Sequence, residues 1–399
     1  MPLICNNVII LRMTVIDVDT HWESSGIRGA AHPLGPWLDR VPVDSAEALA
    51  FGIAGDLLRA LPDDHRPDGR TLLPSLVKMA EERGGPIVLH PQHESGAEER
   101  VAWMDRVGID HCLVNPGGYW QGLEFLADVR PAAAARCNDY LAEQLASHAD
   151  RLHGVAVLDL ADLPGAAREL ERSRGRGHRA FFLYTLNGRP PSDVPPGHPD
   201  WDVVWSAATA LGMVAVIHVG NTAANFGGWA DIGWDRPGGA GVAGLCRLAN
   251  TQRVQVAENL LASMLYGGVF ARHPDLTVIL EEMHVGWFPY FVRRHEELSL
   301  PTPALGDWPW ETPGAVMLQR NVRITPLPGL GDVDALDIVA RLPQMCLFSS
   351  DYPHMEGNAD PIGLYGAGLD GLDPGARAAF LGGNAAACFE RTGDPLERT

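Results

Sequence analysis

The sequence is poor in the features that mark several protein classes. No apolar run approaches the ~18 residues of a membrane-spanning helix. Basic charge is scarce: 31 Lys+Arg against 50 Asp+Glu leave a formal net charge of −19. A nucleic-acid binder shows the opposite balance, and no basic amphipathic stretch offers itself to an anionic membrane surface. Cysteine is sparse and scattered. The six, Cys5, Cys112, Cys137, Cys246, Cys346 and Cys388, form no CxxC pair and no zinc spacing. Cys112 and Cys346 sit in apolar strand-like runs, where a buried free thiol is the ordinary expectation. Such thiols suit a reducing compartment, so a cytoplasmic protein is expected. No internal repeat or low-complexity linker divides the chain. Residues 239–244 match the dinucleotide fingerprint GxGxxG, but they follow the loop WDRPG and not a strand, so the match is read as accidental.

With hydrophobic residues at 46% and charged residues at 20%, the chain can bury a large core. Residues 1–12 carry a short, interrupted apolar run with no small-residue cleavage site, and they read as an extension ahead of the first strand. From Met13 onward, strand-like and helix-like runs alternate, which predicts a parallel sheet with crossover helices. Eight strand-like runs follow in order: VIDVD, DHCLVNP, LHGVAVLDL, RAFFLYT, MVAVIHV, LTVILEE, NVRIT and MCLFSSD. The expected fold is α/β, a single (β/α)8 TIM barrel over residues 13–399. Two insertions interrupt it: a Pro- and Gly-rich excursion between β1 and α1 over about residues 22–95, and an aromatic, Gly-rich loop over about residues 220–241. His90, His93 and Glu94 fall in the first, where polar loop contacts are the plain reading.

In such barrels the chemistry sits at the carboxyl ends of the strands, so the polar residues that end the apolar runs matter most. The first run ends in Asp19-Thr20-His21, the fifth in His218, the sixth in Glu281-Glu282 and the eighth in Asp351. Four strands therefore end in good metal ligands on one predicted face, and Asp19, His21, His218, Glu282 and Asp351 are the expected metal site. Asp17, Asp19 and His21 alternate, so an extended strand points all three the same way; for Asp17 a capping role is the plainer expectation. Glu281 and Glu282 are adjacent, and a regular strand turns only one inward, here taken as Glu282. Asp351 ends an apolar strand, where a buried acid needs a cation or several donors. Glu23, His284 and His354 lie just past these residues and are candidates for a second metal, for substrate contact or for support of the ligands. Glu282, His284 and His354 are also the candidate catalytic groups. Trp229, Trp234, Trp287, Trp308 and Trp310 can line a cavity or simply pack.

These motifs resemble the amidohydrolase-related superfamily, in its branch of metal-dependent decarboxylases and hydrolases. VIDVDTH at 15–21 is similar to the opening HxH or ExH element, and VIH at 216–218 to the strand-five histidine. VILEEMHVGWFPYFVRRHE is similar to the strand-six segment, SSDYPH to the strand-eight aspartate motif, and LGGNAAACF to the closing GGNAARLY element. The resemblance spans roughly residues 14–390. Two departures bear on chemistry. Asp19 stands where many members have a first histidine, and Glu282 stands close to where the decarboxylases carry a catalytic histidine; glutamate can still serve as a base. No lysine ends strand four, which argues against a carbamylated-lysine bridge. The carboxylate-rich site is also similar to that of a smaller group on this barrel, nonheme diiron monooxygenases of natural-product pathways, many of which act on coenzyme A-linked substrates.

Two function readings follow. The first, placed slightly ahead on the strength of the resemblance and the carboxylate-rich site, is a nonheme iron monooxygenase with two irons favoured; a set of imidazoles and carboxylates is compatible with iron. It hydroxylates a small-molecule substrate and draws on an external electron donor. The alternative is a hydrolase or nonoxidative decarboxylase with one divalent metal, Zn or Mn, and Glu282 as the proton-transfer group. Neither nucleic acid nor membrane is expected as a partner, and a homodimer is the expected assembly where one forms.

Overall fold

The computed structural model describes residues 14–22, 32–40, 96–185, 189–219, 241–326, 332, 334–354 and 360–396. The expected extension 1–12, most of the excursion over 22–95 with Glu23, His90, His93 and Glu94, and nearly all of the loop 220–241 with Trp229 and Trp234 lie outside the described residues.

Seven strands form one curled parallel sheet in chain order: β1 Ile16–Trp22, β2 His111–Pro116, β3 Leu152–Ala156, β4 Ala180–Phe182, β5 Val214–His218, β6 Val278–Glu281 and β7 Val322–Ile324. Every strand residue except Arg323 is buried. Parallel strands covered on both faces have this property, which is why the sequence shows continuous apolar runs and not alternation. The β1–β2 register shifts by one residue between Asp17 and Thr20, and such a bulge re-aims the side chains beside it, here Asp19.

The expected eighth strand is an irregular segment. On one side Ile324 N donates to Met345 O at 2.9 Å and Leu347 N to Ile324 O at 3.0 Å; on the other, Val18 N donates to Phe348 O at 3.1 Å and Asp351 N to Asp19 O at 2.9 Å. The segment thus hydrogen-bonds both to β7 and to β1, bringing Asp351 beside Asp19.

The longer helices are α1 Ala97–Val107, α2 Arg130–Leu145, α3 Leu163–Gly175, α4 Asp202–Leu211, α5 Gly241–Tyr266, α6 Phe288–Leu298, α7 Gly314–Asn321, α8 Ala335–Arg341 and α9 Asn384–Arg391. In α3 the buried positions Leu163, Ala166, Ala167 and Leu170 recur at helical spacing, and Asp162 caps its start by accepting the Gly165 N–H at 3.1 Å. The closing LGGN motif has a mechanical role. A Cβ on Gly382 stands 2.1 Å from Thr14 O, so only glycine lets this turn lie against the entry to β1. Asn384 Nδ2 donates to Pro343 O at 2.7 Å and to Cys346 O at 2.8 Å, tying α9 to the segment that carries Asp351. Among the described residues, no helix is long and apolar enough to cross a membrane.

Candidate metal centre

The strand ends bring the expected ligands together. Asp19, His21, His218 and Glu282 each place one ligand atom within 4.8 Å of the others, and all four are buried. His21 Nε2 lies 3.2 Å from Asp19 Oδ1, 3.2 Å from Asp351 Oδ1 and 3.2 Å from His218 Nε2. His218 Nε2 is 3.5 Å from Asp19 Oδ1 and 3.8 Å from Glu282 Oε2. A second group, His21, Glu282, Asp351 and His354, meets the same criterion and shares two members with the first. His354 lies with its ring 3.8 Å from the His21 ring, nearly parallel, and its Nδ1 is 2.8 Å from Asp351 Oδ1.

His284 joins neither group. Its Nδ1 lies 3.4 Å from Asp332 Oδ1, which also accepts the Val285 N–H at 3.2 Å. Of the tryptophans that could line a cavity or simply pack, Trp287, Trp308 and Trp310 pack against the core.

Two ligand candidates, Glu282 and Asp351, and the neighbouring His284 sit on strained backbone. Glu282, His284 and Asp351 have φ of 56°, 55° and 54°, and among the described non-glycine residues only Asp193 shares that region. Each such residue costs on the order of 1–3 kcal/mol and persists where the surroundings dictate it, characteristically at functional sites. The turn at Glu282 also corrects the expectation that only one of the adjacent glutamates faces inward. Regular β6 ends at Glu281, so alternation fails at the next residue. Both side chains are buried, with Glu281 held by Asn115 (2.9 Å) and Glu282 beside His218.

The electrostatics describe a site built for a cation. Asp19, Glu281, Glu282 and Asp351 are at most 3% exposed. Burial together with the neighbouring Asp351 holds the Glu282 carboxyl well above the usual range, and burial with Asp19 does the same to Glu281. His218 is pushed up to about 9: burial opposes its charge, but Glu282 and Asp19 outweigh that. His21 is pulled down to about 3 by burial and by His354 beside it. Burial favours the neutral acid at Asp19 too, yet His218 and His21 hold its carboxyl below the usual range. Acids crowded in a dry volume stay ionised only with compensating charge. Asp19 Oδ2 and Glu282 Oε1 are buried and accept no hydrogen bond from the described residues, although buried polar atoms are almost always satisfied. Converging imidazole nitrogens and bare carboxylate oxygens match the donor set of a divalent ion. No lysine stands among the described residues; the chain's single lysine, Lys78, lies outside them.

Residues behind the ligands fix them. Asp17 is fully buried and accepts the Ser350 N–H at 3.0 Å and the Asp19 N–H at 3.3 Å, cross-linking β1 to the Asp351 segment; burial pushes its carboxyl up to about 7. Arg100 of α1 donates through Nη2 to the His21 carbonyl. Its guanidinium lies 4.9 Å from the centre of the Tyr352 ring, and Trp103 stacks on the same ring at 3.9 Å. On the other side an aromatic wall begins at Phe182, 6.1 Å from His218, and continues through Trp120 to Tyr184. Asn115 ends β2 just as the ligands end their own strands, so the strand-end rule can find it. Arg100 and Asp332 carry no such local signal.

This arrangement of parallel sheet and strand-end ligands belongs to a known class: the chain matches the amidohydrolase family over residues 16–391 and is a member of it. Among characterised relatives it is 25% identical over 262 residues to the gamma-resorcylate decarboxylase of Polaromonas sp. strain JS666, covering 64% of this chain and 76% of that one. An amidohydrolase structure from Mycobacterium avium subsp. paratuberculosis K-10 shares 21% identity over 95% of this chain and 100% of that one, with a TM-score of 0.63. The dihydroxybenzoic acid decarboxylase of Polaromonas sp. JS666, solved with manganese and the inhibitor 2-nitroresorcinol, shares 20% identity over 95% and 97% of the two chains, with a TM-score of 0.59. These structural likenesses show the shared fold. The relatives are decarboxylases and amidohydrolases, so they favour the alternative reading over the monooxygenase placed first from sequence.

Proposed function

We propose that this protein is a metal-dependent, nonoxidative decarboxylase of a small organic acid, working at the carboxyl ends of the strands of a (β/α)8 barrel whose eighth position is taken by the irregular segment 345–351. Asp19, His21, His218 and Asp351 would hold one divalent ion, manganese or zinc. When bound, that ion supplies positive charge that fixes and polarises the oxygen atoms of the substrate. The protein's own groups carry the proton. The observation behind this reading is the placement of Glu282: its side chain is buried with Oε2 3.8 Å from His218 Nε2, burial and the neighbouring Asp351 favour its acid form, and Oε1 accepts no hydrogen bond from the described residues. A neutral acid so placed can give its proton to the substrate carbon; the carbon–carboxylate bond then breaks, carbon dioxide leaves, and solvent restores the proton to Glu282. Phe182, Trp120 and Tyr184 give the apolar part of the substrate a dry wall next to His218.

The overlapping ligand groups that share His21 and Glu282 favour a second reading. In it Glu282 and His354 would help hold a second iron, and the protein would hydroxylate a small, coenzyme A-linked substrate with electrons from an external donor. The two readings separate on oxygen. Manganese-loaded protein is incubated anaerobically with hydroxybenzoates of the kind its relatives act on. The decarboxylase reading expects carbon dioxide and phenol in equal amounts, and Glu282→Gln to abolish both. Turnover of any substrate that begins only when oxygen and a reductant are admitted supports the second reading instead.

A further inference from the structure

Asn115 stands at the end of β2, fully buried, and its side-chain amide spans two acids. Nδ2 donates to Asp19 Oδ1 at 2.8 Å and to Glu281 Oε2 at 2.9 Å. An amide nitrogen has two hydrogens, and this one places both on carboxylates. The two acids come from separate parts of the sheet. Asp19 is on the neighbouring strand, where His21 pairs in register with Asn115, whereas Glu281 is on β6, four strands further along. Asn115 therefore reaches across the interior and joins β1 to β6 beneath the ligands.

The choice of residue matters. A lysine or arginine here neutralises the acids and competes with a metal. An aspartate adds another charge to a dry cluster of acids. A neutral double donor satisfies one oxygen of each acid and leaves the site's negative charge for a cation. It also separates two groups of similar chemistry. Asp19 belongs to the first ligand group; Glu281, equally buried and next in sequence to Glu282, belongs to neither, although its Oε1 accepts no hydrogen bond.

We propose that Asn115 is a positioning residue that holds Asp19 as a ligand and restrains Glu281 from joining the metal, thereby setting how many oxygen ligands the ion receives. This rests on the metal-binding reading above. Released from Asn115, Glu281 would become a flexible carboxylate beside the site, able to add an oxygen ligand to a bound ion.

Cobalt(II) reads this out without turnover, because its visible absorption weakens as its coordination number rises. Apo protein is titrated with cobalt(II) for the wild type, Asn115→Ala, Glu281→Gln and the double variant, with Kd and spectrum recorded for each. Asn115→Ala is expected to bind about 10–100-fold more weakly, the usual effect of losing a group that orients a ligand, with a weakened visible band. Glu281→Gln keeps the wild-type spectrum, because that side chain stays outside the ligand set and its amide oxygen still accepts from Asn115. In the double variant the band returns to the wild-type shape. An unchanged Kd and spectrum in Asn115→Ala, an altered spectrum in Glu281→Gln alone, or a weakened band that persists in the double variant each overturns the proposal. Failure of the wild type to take up cobalt(II) overturns instead the metal-binding reading on which it rests.

Discussion

Replacing Arg100 by methionine tests whether the wall behind the ligands is as tightly built as its contacts indicate. Arg100 is 2% exposed, so its interactions are shielded from solvent. Its hydrogen bond to the His21 carbonyl is charge-assisted, a type that contributes about 1.5–3 kcal/mol. Its position over Tyr352, 4.9 Å from the ring centre, adds a cation–π contact of about 1–2 kcal/mol where desolvated. Methionine keeps the length of the stem and fills the same space, which limits any cavity. Relief from burying a charge offsets part of the loss. The expected net destabilisation is therefore about 2–3 kcal/mol, with the entry to His21 and the Tyr352 turn loosened together. Urea unfolding followed by tryptophan fluorescence measures it as a lower midpoint at unchanged slope. Metal titration of the folded variant then gives weaker binding, since Arg100 holds the His21 backbone and packs on Tyr352, the residue after Asp351. A midpoint and metal affinity both equal to wild type would refute the reasoning.

Two further outcomes follow from the packing and the titration of buried groups. Gly382→Ala puts a methyl group 2.1 Å from Thr14 O, so β1 must shift; a loss of about 1–3 kcal/mol is expected, and an unchanged urea midpoint contradicts the close approach. His153 is held well below its ordinary value by burial and by Arg179, and the protonated form is therefore disfavoured in the folded state. Its stabilising contribution is complete above the unfolded value near ~6.5 and is lost as pH falls below it. His153→Leu is accordingly expected to lose less stability than wild type between about pH 7 and pH 5; equal slopes contradict this assignment.

The strands are legible because each is a short apolar run buried on both faces, with no competing helical period. Strand-end reading locates His218 and Asp351 for the same reason: a polar residue closing a buried run has few other uses. It falters where the backbone leaves the regular path. At Glu282 a positive φ overrides alternation, so both glutamates turn inward, and no pattern of residue types announces that turn. The eighth strand reads as regular, but its partners on β7 and β1 set an irregular course through Phe348 and Asp351. Asn115 closes its run just as the ligands do, yet an amide does not register as a metal ligand. Arg100 and Asp332 reach the site only through the fold. Above all, a carboxylate-rich set of ligands does not reveal how many ions it holds, because Glu282 can be a proton donor or a shared ligand with the same neighbours. That is why the resemblance and the carboxylate-rich site together lean toward an oxygenase while the relatives point to decarboxylases.

Metal analysis of protein purified without added metal, paired with anaerobic turnover, tests the central claim most directly. About one divalent ion per chain is expected, lost in His218→Ala, with carbon dioxide release that proceeds without oxygen. About two irons per chain, with product formed only in the presence of oxygen, would contradict it.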